Sequence, residues 1–355
     1  MATMSQQIES VTASLGIPVR VVGVTDAAQV TKYQVKPLPR VLASGRKGKM
    51  TYVSAIMTRA LDIGVGLGVE NVTVSANGQL FIEVPKSKPQ AVFTPARVYT
   101  NGEELPIMLG VDTANEQVIL DLAKCPHLMI AGTTGSGKSV CLTNVLTGLI
   151  KYRDASRVQL VLIDLKHTEL SQFAEVEHLV RDVAYTAEEA EATLSWLMAE
   201  VDHRYRMMKK HGAQDISEIA SNRIVVVVDE FANLILQGSK ELKKRFIHIA
   251  QGGRAAGVHF IVATQRPSRQ VVDGLFKGNF ATRVCFRTAD KTNSRIVLDR
   301  NGAEALMGKG DGLLLHNGKP RRFQGFMMPD AEIARVVERN RKRNLVGRIW
   351  KRLTG

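Results

Sequence analysis

The sequence is short of cysteine: Cys125, Cys141 and Cys285 are the three in 355 residues, an odd number with no CxxC spacing. That excludes a disulfide scaffold and fits a reducing compartment. No window approaches the roughly 18 apolar residues that a bilayer-crossing helix needs. The apolar run at residues 224–228 is closed by Arg223 before it and by Asp229 and Glu230 after it. The first ten residues, MATMSQQIES, lack the basic start and apolar stretch of a signal peptide. Internal repeats and low-complexity blocks are absent. The eight histidines show no HExxH or Cys/His ligand spacing, so no structural zinc is expected. Acidic residues are also scarce, 34 against 48 Lys and Arg, a net charge of +14. Such an excess points to an anionic partner: nucleic acid, a membrane surface or a nucleotide.

What is present is an ordinary globular composition, 45% apolar and 23% charged. At about 100–200 residues per domain, the length suggests two domains. The pattern changes near residue 95. Before it, short β-type runs (19–24, 30–35, 72–75, 80–84) alternate with turn residues, and Asn77-Gly78 between the last two signals a hairpin. Residues 52–61 have helical spacing and lead into Gly64, Gly66 and Gly68, which read as a turn because no helix signature comes after them. Residues 1–95 are expected to form a small α+β domain.

After residue 95 the chain reads as α/β. Apolar, β-branched runs recur at 128–131, 158–163, 224–228, 258–263 and 283–286, separated by helical stretches such as 187–210. Continuous apolar runs between helices are what a parallel sheet covered on both faces requires. The run Gly132-Thr133-Thr134-Gly135-Ser136-Gly137-Lys138-Ser139 fits GxxxxGK[ST], and Val140 closes it at the start of an expected helix over 140–150. Glycines let backbone N–H groups wrap a phosphate, Lys138 reaches the outer phosphate oxygens, and Ser139 offers a hydroxyl to Mg²⁺. Asp229 and Glu230 end a buried strand where α/β sheets bind ligands. They are candidates for holding Mg²⁺ through water and for orienting an attacking water. Gln265 ends a third strand and is equally a phosphate sensor or a turn residue. Asp164 and Lys166 read as a solvated strand end.

Taken together, HLMIAGTTGSGKS, IVVVVDEFANL, GRAAGVHFIVATQRPS and LMGKGDGLLL resemble the FtsK/SpoIIIE family of double-stranded DNA translocases, in collinear order over most of residues 96–328. IPVRVVGV and VTKYQVKPLPRV resemble that family's small domain more loosely. The resemblance implies a P-loop, RecA-like motor that forms a hexameric ring around duplex DNA and pumps it with ATP and Mg²⁺ in the cytoplasm. It implies Lys138 and Ser139 on phosphate and metal, Asp229 and Glu230 as metal-side and catalytic acids, and Gln265 as γ-phosphate sensor. Arg254, in GRAAG, matches the arginine finger that reaches a neighbouring subunit. Arg266 and Ser268 match a DNA-facing loop, Lys277 lies in the stretch after it, and Lys291 and Arg295 match positions near DNA or the subunit boundary. DLK stands for the common DPK, and EFAN for EFAD. The family's N-terminal anchor and C-terminal winged helix have no counterpart here, as expected of a stand-alone motor of a mobile element or virus, or of a trimmed chain. Two other readings stay open: a coupling or packaging ATPase acting on single-stranded DNA or a protein–DNA complex, and a scaffold that ATP assembles on DNA or membrane.

The motor is expected over residues 96–330 and a basic tail over 331–355. Residues 319–355 hold eleven Lys and Arg against three acids, a net +8, which leaves +6 for the first 318 residues. Leu345, Val346, Ile349, Trp350 and Leu353 keep helical spacing opposite Arg348, Lys351 and Arg352. Such a helix packs on its own motor, lies on a membrane surface, clamps DNA or docks to a protein partner.

Overall fold

The computed structural model describes residues 2–27, 30–41, 44, 46–76, 78–86, 92–93, 102–219 and 222–342. They divide into a smaller unit, up to Val92 with Val111–Glu116, and a larger one, Phe93–Gly110 with everything from Gln117.

The smaller unit opens with α1 (Met4–Ser14), capped reciprocally: Thr3 Oγ1 accepts from Gln6 N at 3.3 Å and Gln6 Oε1 from Thr3 N at 2.9 Å. Next come β1 (Val19–Asp26), β2 (Val30–Pro37) and a short hairpin of β3 (Pro39–Val41) and β4 (Lys47–Met50). Helices α2 (Val53–Met57) and α3 (Ala60–Leu67) precede β5 (Thr73–Ala76) and β6 (Leu80–Pro85). The strands form an antiparallel sheet in the order β1-β2-β6-β5. Ile8, Ile56, Ile63 and Ile82 fill its core. Gly78 takes φ +72° in the β5–β6 turn; its expected partner Asn77 lies outside the described residues.

One expectation fails here. The helical pattern of residues 52–61 is split between α2 and α3, and Gly64 and Gly66 are helical, not a turn. The helix ends only at Gly68. Packing explains the glycines: a Cβ on Gly66 would stand 2.5 Å from Val11 Cγ1 of α1. Close helix–helix approach outweighs glycine's poor helix propensity.

The larger unit begins with β7 (Val92–Phe93), β8 (Pro106–Asp112), β9 (Gln117–Asp121) and β10 (His127–Ala131). Then come α4 (Lys138–Tyr152), β11 (Val158–Ile163), α5 (Ala187–His211), β12 (Arg223–Val228), α6 (Phe231–Gln237) and α7 (Lys240–Gly252). The chain continues through β13 (Val258–Thr264), α8 (Gly274–Asn279), β14 (Thr282–Phe286) and α9 (Lys291–Leu298). It then adds β15 (Asp311–His316), β16 (Lys319–Met327) and α10 (Asp330–Arg339). The sheet order is β11-β12-β13-β10-β14-β15-β16-β8-β9. From β11 to β14 the strands are parallel and in register, so Ile163 pairs with Val228, and Ala131 with Thr264 and Cys285. The carboxyl ends of these five strands therefore lie along one edge. β15 and β16 continue the sheet antiparallel, an extension that the apolar runs did not announce.

Alternation on the parallel strands fills two cores. Ile224, Val226 and Val228 face the side covered by α5, α6 and α7, with Leu197, Phe231 and Phe246. Val225 and Val227 face the side of α4 and α10, with Leu142, Leu149 and Val336. Burial on both faces is what an unbroken IVVVV strand is for. The tail is described only as far as Lys342, so the amphipathic pattern from Leu345 lies outside the described residues.

Candidate active site

The glycine loop leaves β10 and enters α4 at the carboxyl edge of the sheet. Gly135 and Gly137 take φ of +74° and +111°, which turns successive N–H groups inward. A Cβ on Gly132 would fall 2.5 Å from Ser136 Oγ. That hydroxyl is buried and has no hydrogen-bond partner among the described residues, as suits a loop shaped around an anion. Lys138 is 3% exposed; its Nζ donates to Asp229 Oδ1 at 3.0 Å and to Asp229 O at 3.4 Å. Ser139 comes next in the first turn of α4, half-buried, and Val140 is exposed. Just behind, complete burial pushes the Cys141 thiol up to about 12, so it sits there as an apolar neighbour rather than a nucleophile.

Asp229 and Glu230 stand directly after β12 and are both buried. Glu230 Oε1 accepts from Thr264 Oγ1 at 2.6 Å, and both carboxylate oxygens lie 3.2 Å from Gln265 N. Oε2 also meets Lys166 Nζ at 3.1 Å. Gln265 Oε1 in turn accepts from Thr134 Oγ1 of the glycine loop at 3.2 Å. The structure thus gathers Lys138, Asp229, Glu230 and Gln265 from three separate strings.

Asp164 corrects an expectation: it is fully buried, not solvated. Its carboxylate accepts from the backbone N–H groups of Lys166, Thr168 and Leu170 at 3.3, 2.9 and 3.0 Å, folding this loop back toward the acids. Lys166 thereby reaches Glu230, and Thr168 Oγ1 lies 3.5 Å from Asp229 Oδ2. Sequence reasoning placed Lys166 at this edge but read it as a solvated strand end, although a signal for the contact was there. Ile163 and Val228 are register partners, so a side chain two or three residues past the end of β11 can reach the acids at the end of β12.

A second segment backs the glycine loop. Gly310 N donates to Ser136 O at 2.8 Å and Lys309 N to Gly135 O at 3.3 Å. A Cβ on Gly137 would sit 2.6 Å from Gly310 N, so close approach calls for glycine at 137, while Gly310 takes φ +91°.

Arg254 is not brought to this site. It is exposed, carries no ion pair among the described residues, and precedes β13, whereas Gln265 lies beyond that strand's other end. Seven residues of strand separate the two, about 23 Å. At that far end His127 Nε2 donates to Ala250 O at 2.7 Å while its Nδ1 accepts from Phe260 N at 3.0 Å. Burial holds His127 down to about 4 and the adjacent His259 to about 3.

Arg266 and Ser268 lie just past β13 at the glycine-loop edge; Arg266 is exposed. Lys291 and Arg295, one helical turn apart on α9, are exposed after β14, and Arg295 Nε donates to Asn301 Oδ1 at 2.7 Å. Lys277 on α8 is instead tied to Asp299 at 2.6 Å, beside Arg283 on the same carboxylate. No helix among the described residues is long and apolar enough to cross a membrane.

The FtsK/SpoIIIE family profile matches residues 90–223 and 218–269. The DNA translocase SftA of Bacillus subtilis (strain 168) is 36% identical over 354 residues, which is 94% of this chain and 36% of that protein. The DNA translocase FtsK of Caldanaerobacter subterraneus subsp. tengcongensis is 34% identical, covering 94% of this chain and 48% of its own length. The chain spans between about a third and a half of these relatives. Among solved structures, the pCW3 conjugation coupling protein TcpA superposes with a TM-score of 0.64 at 21% identity, over 94% of this chain and 98% of that one. The cytoplasmic domain of the Thermomonospora curvata secretion ATPase EccC gives 0.60 at 21% identity, over 71% and 32%. The fold is that of P-loop ATPases, and the chain belongs to the FtsK/SpoIIIE family.

Proposed function

We propose that this chain is the motor portion of an ATP-driven translocase that moves double-stranded DNA through a homo-hexameric ring in the cytoplasm. The observation that carries the reading is the meeting of buried Lys138, Asp229 and Glu230 beside a glycine loop at the carboxyl edge of a parallel sheet. Family membership and the DNA-translocating relatives supply the nucleic-acid half. We take residues 1–95 as a small α+β domain, 96–330 as the motor and 331–355 as a basic tail that meets a membrane surface or protein partner.

In this reading residues 132–140 wrap the triphosphate and Lys138 leaves Asp229 for its outer oxygens. Ser139 and Asp229 would hold Mg²⁺; one hydroxyl and one carboxylate fit an ion that keeps most of its sites for water and phosphate. When bound, the ion would neutralise charge on the phosphate oxygens. Glu230 orients the attacking water, and the Thr264 hydroxyl and the backbone N–H of Gln265 fix its aim. The side chain of Gln265, tied to the loop through Thr134, reports the terminal phosphate. Arg254 serves a neighbouring subunit, supported by its exposure and its distance from its own loop. A planar cation supplied in trans stabilises charge spreading over the transferred phosphoryl group. Arg266, Ser268, Lys277, Lys291 and Arg295 are the DNA-facing set, touching backbone phosphates without reading sequence.

The test is ATP turnover by the full chain with and without long duplex DNA. Duplex is expected to stimulate turnover, and Lys138→Ala to abolish it. A rate unchanged by duplex, or raised equally by single strands, would overturn the duplex-motor reading. Displacement of a triplex third strand separates a motor from a scaffold.

A further inference from the structure

Building on the ATP-driven reading, we propose that Lys166 reads the terminal phosphate: it holds Glu230 when no triphosphate is bound and exchanges that carboxylate for the γ-phosphate of ATP. The starting point is how fully Glu230 is engaged. Its two oxygens receive Thr264 Oγ1, Gln265 N and Lys166 Nζ, all within 3.2 Å. Every donor but one belongs to a fixed frame. Thr264 is completely buried at the end of β13, and Gln265 contributes backbone. Lys166 alone reaches in from a loop, with its side chain 34% exposed.

That loop is itself fixed. Asp164 accepts three of its backbone N–H groups, so what can move is the four-carbon stem of Lys166 rather than the backbone beneath it. A lysine suits an exchange of this kind, being a compact charge on a long stem, free of the planar matching that binds an arginine to one carboxylate.

The neighbouring pair has the same plan. Lys138 closes on Asp229 much as Lys166 closes on Glu230, and the two acids are consecutive. Two cations from different loops therefore guard two adjacent acids. A triphosphate brings more anionic oxygens than a diphosphate, and the third phosphate is what can draw the second cation away. ADP leaves Lys166 on Glu230; ATP frees Glu230 to face water. Lys166 would then set the preference for triphosphate over diphosphate and tie the release of Glu230 to the arrival of its substrate.

The experiment is equilibrium binding of ADP and of slowly hydrolysed ATPγS, with Mg²⁺ present, to the full chain and to Lys166→Met and Lys166→Arg. Lys166→Met is expected to weaken ATPγS about tenfold, the loss of one charged hydrogen bond, and to leave ADP unchanged. Lys166→Arg keeps the charge but matches the Glu230 carboxylate more closely, so it should recover only part of the ATPγS affinity. Because Lys166→Met leaves Glu230 buried without its cation, the double variant Lys166→Met/Glu230→Gln removes that stress and should show the same selective loss. Equal weakening of both nucleotides, or of neither, overturns the exchange while leaving the ATPase reading standing. A wild-type chain that binds neither nucleotide overturns both.

Discussion

The two ends of β13 carry charge in opposite ways. At the carboxyl end the acids are buried, and each is closed by a cation of the same chain: Lys138 on Asp229, Lys166 on Glu230. At the amino end Arg254 stands in solvent without an ion pair among the described residues. Burying a lone charge is expensive, so the inner groups hold partners until a ligand displaces them. An exposed arginine carries no such obligation. One end of the strand is thus a buried, self-paired cluster, and the other presents an exposed arginine with no ion pair among the described residues.

Three measurements break or sharpen that contrast. The largest effect is expected from Arg254→Ala: turnover falls by about 10³-fold, the lower range for an arginine finger, while nucleotide affinity and melting temperature stay at wild-type values. In rings mixed with Lys138→Ala subunits the damage should map to the neighbouring site. A loss confined to the mutated subunit's own nucleotide would contradict service in trans.

Next in size is an acid sensitivity located at the amino end. His127 and His259 are held at about 4 and about 3 by burial, below the usual 6.5. The unfolded chain binds these protons first as pH falls below 6.5. Stability is therefore full above that pH and declines toward pH 4, by about 3 kcal/mol per pH unit at most for two such groups. Urea unfolding at pH 7.5 and pH 5.5 checks this, and equal midpoints would refute it. The smallest effect concerns DNA. Arg266→Ala should weaken duplex binding a few-fold and lower the salt slope by about one. Lys277→Ala should do less, because Asp299 already pairs with that charge; a loss equal to that of Arg266→Ala would show that the pair does not hold Lys277 back from DNA.

How much of this was legible beforehand depends on where the partners lie in the chain. The glycine loop and the Asp229-Glu230 pair each occupy one contiguous string at the end of a buried run, so spacing alone picked them out. The parallel strands were legible because burial on both faces leaves unbroken apolar runs. The antiparallel half was not. β16 starts with exposed Lys319 and Pro320 and half-buried Arg321 and Arg322, and β15 lies in a glycine-rich string. Lys166 was read as solvated because its contact depends on Asp164 folding the loop back, a tertiary event that no local pattern records. Gly64 and Gly66 were misread because each answers a close approach that only the folded chain makes, Gly66 to Val11 of α1 and Gly64 to the backbone of Val69.

The backing of the glycine loop by Gly310 bears on how the protein is made. Ser136 and Gly135 find their backbone partners about 170 residues later in the chain. At about 5–20 residues per second, the ribosome delivers those partners roughly 10–35 s after the motif itself. A nascent chain therefore carries the phosphate-binding motif well before it carries the loop's finished shape. The glycine loop gains its two backbone supports, from Lys309 and Gly310, only once the segment leading into β15 has been made.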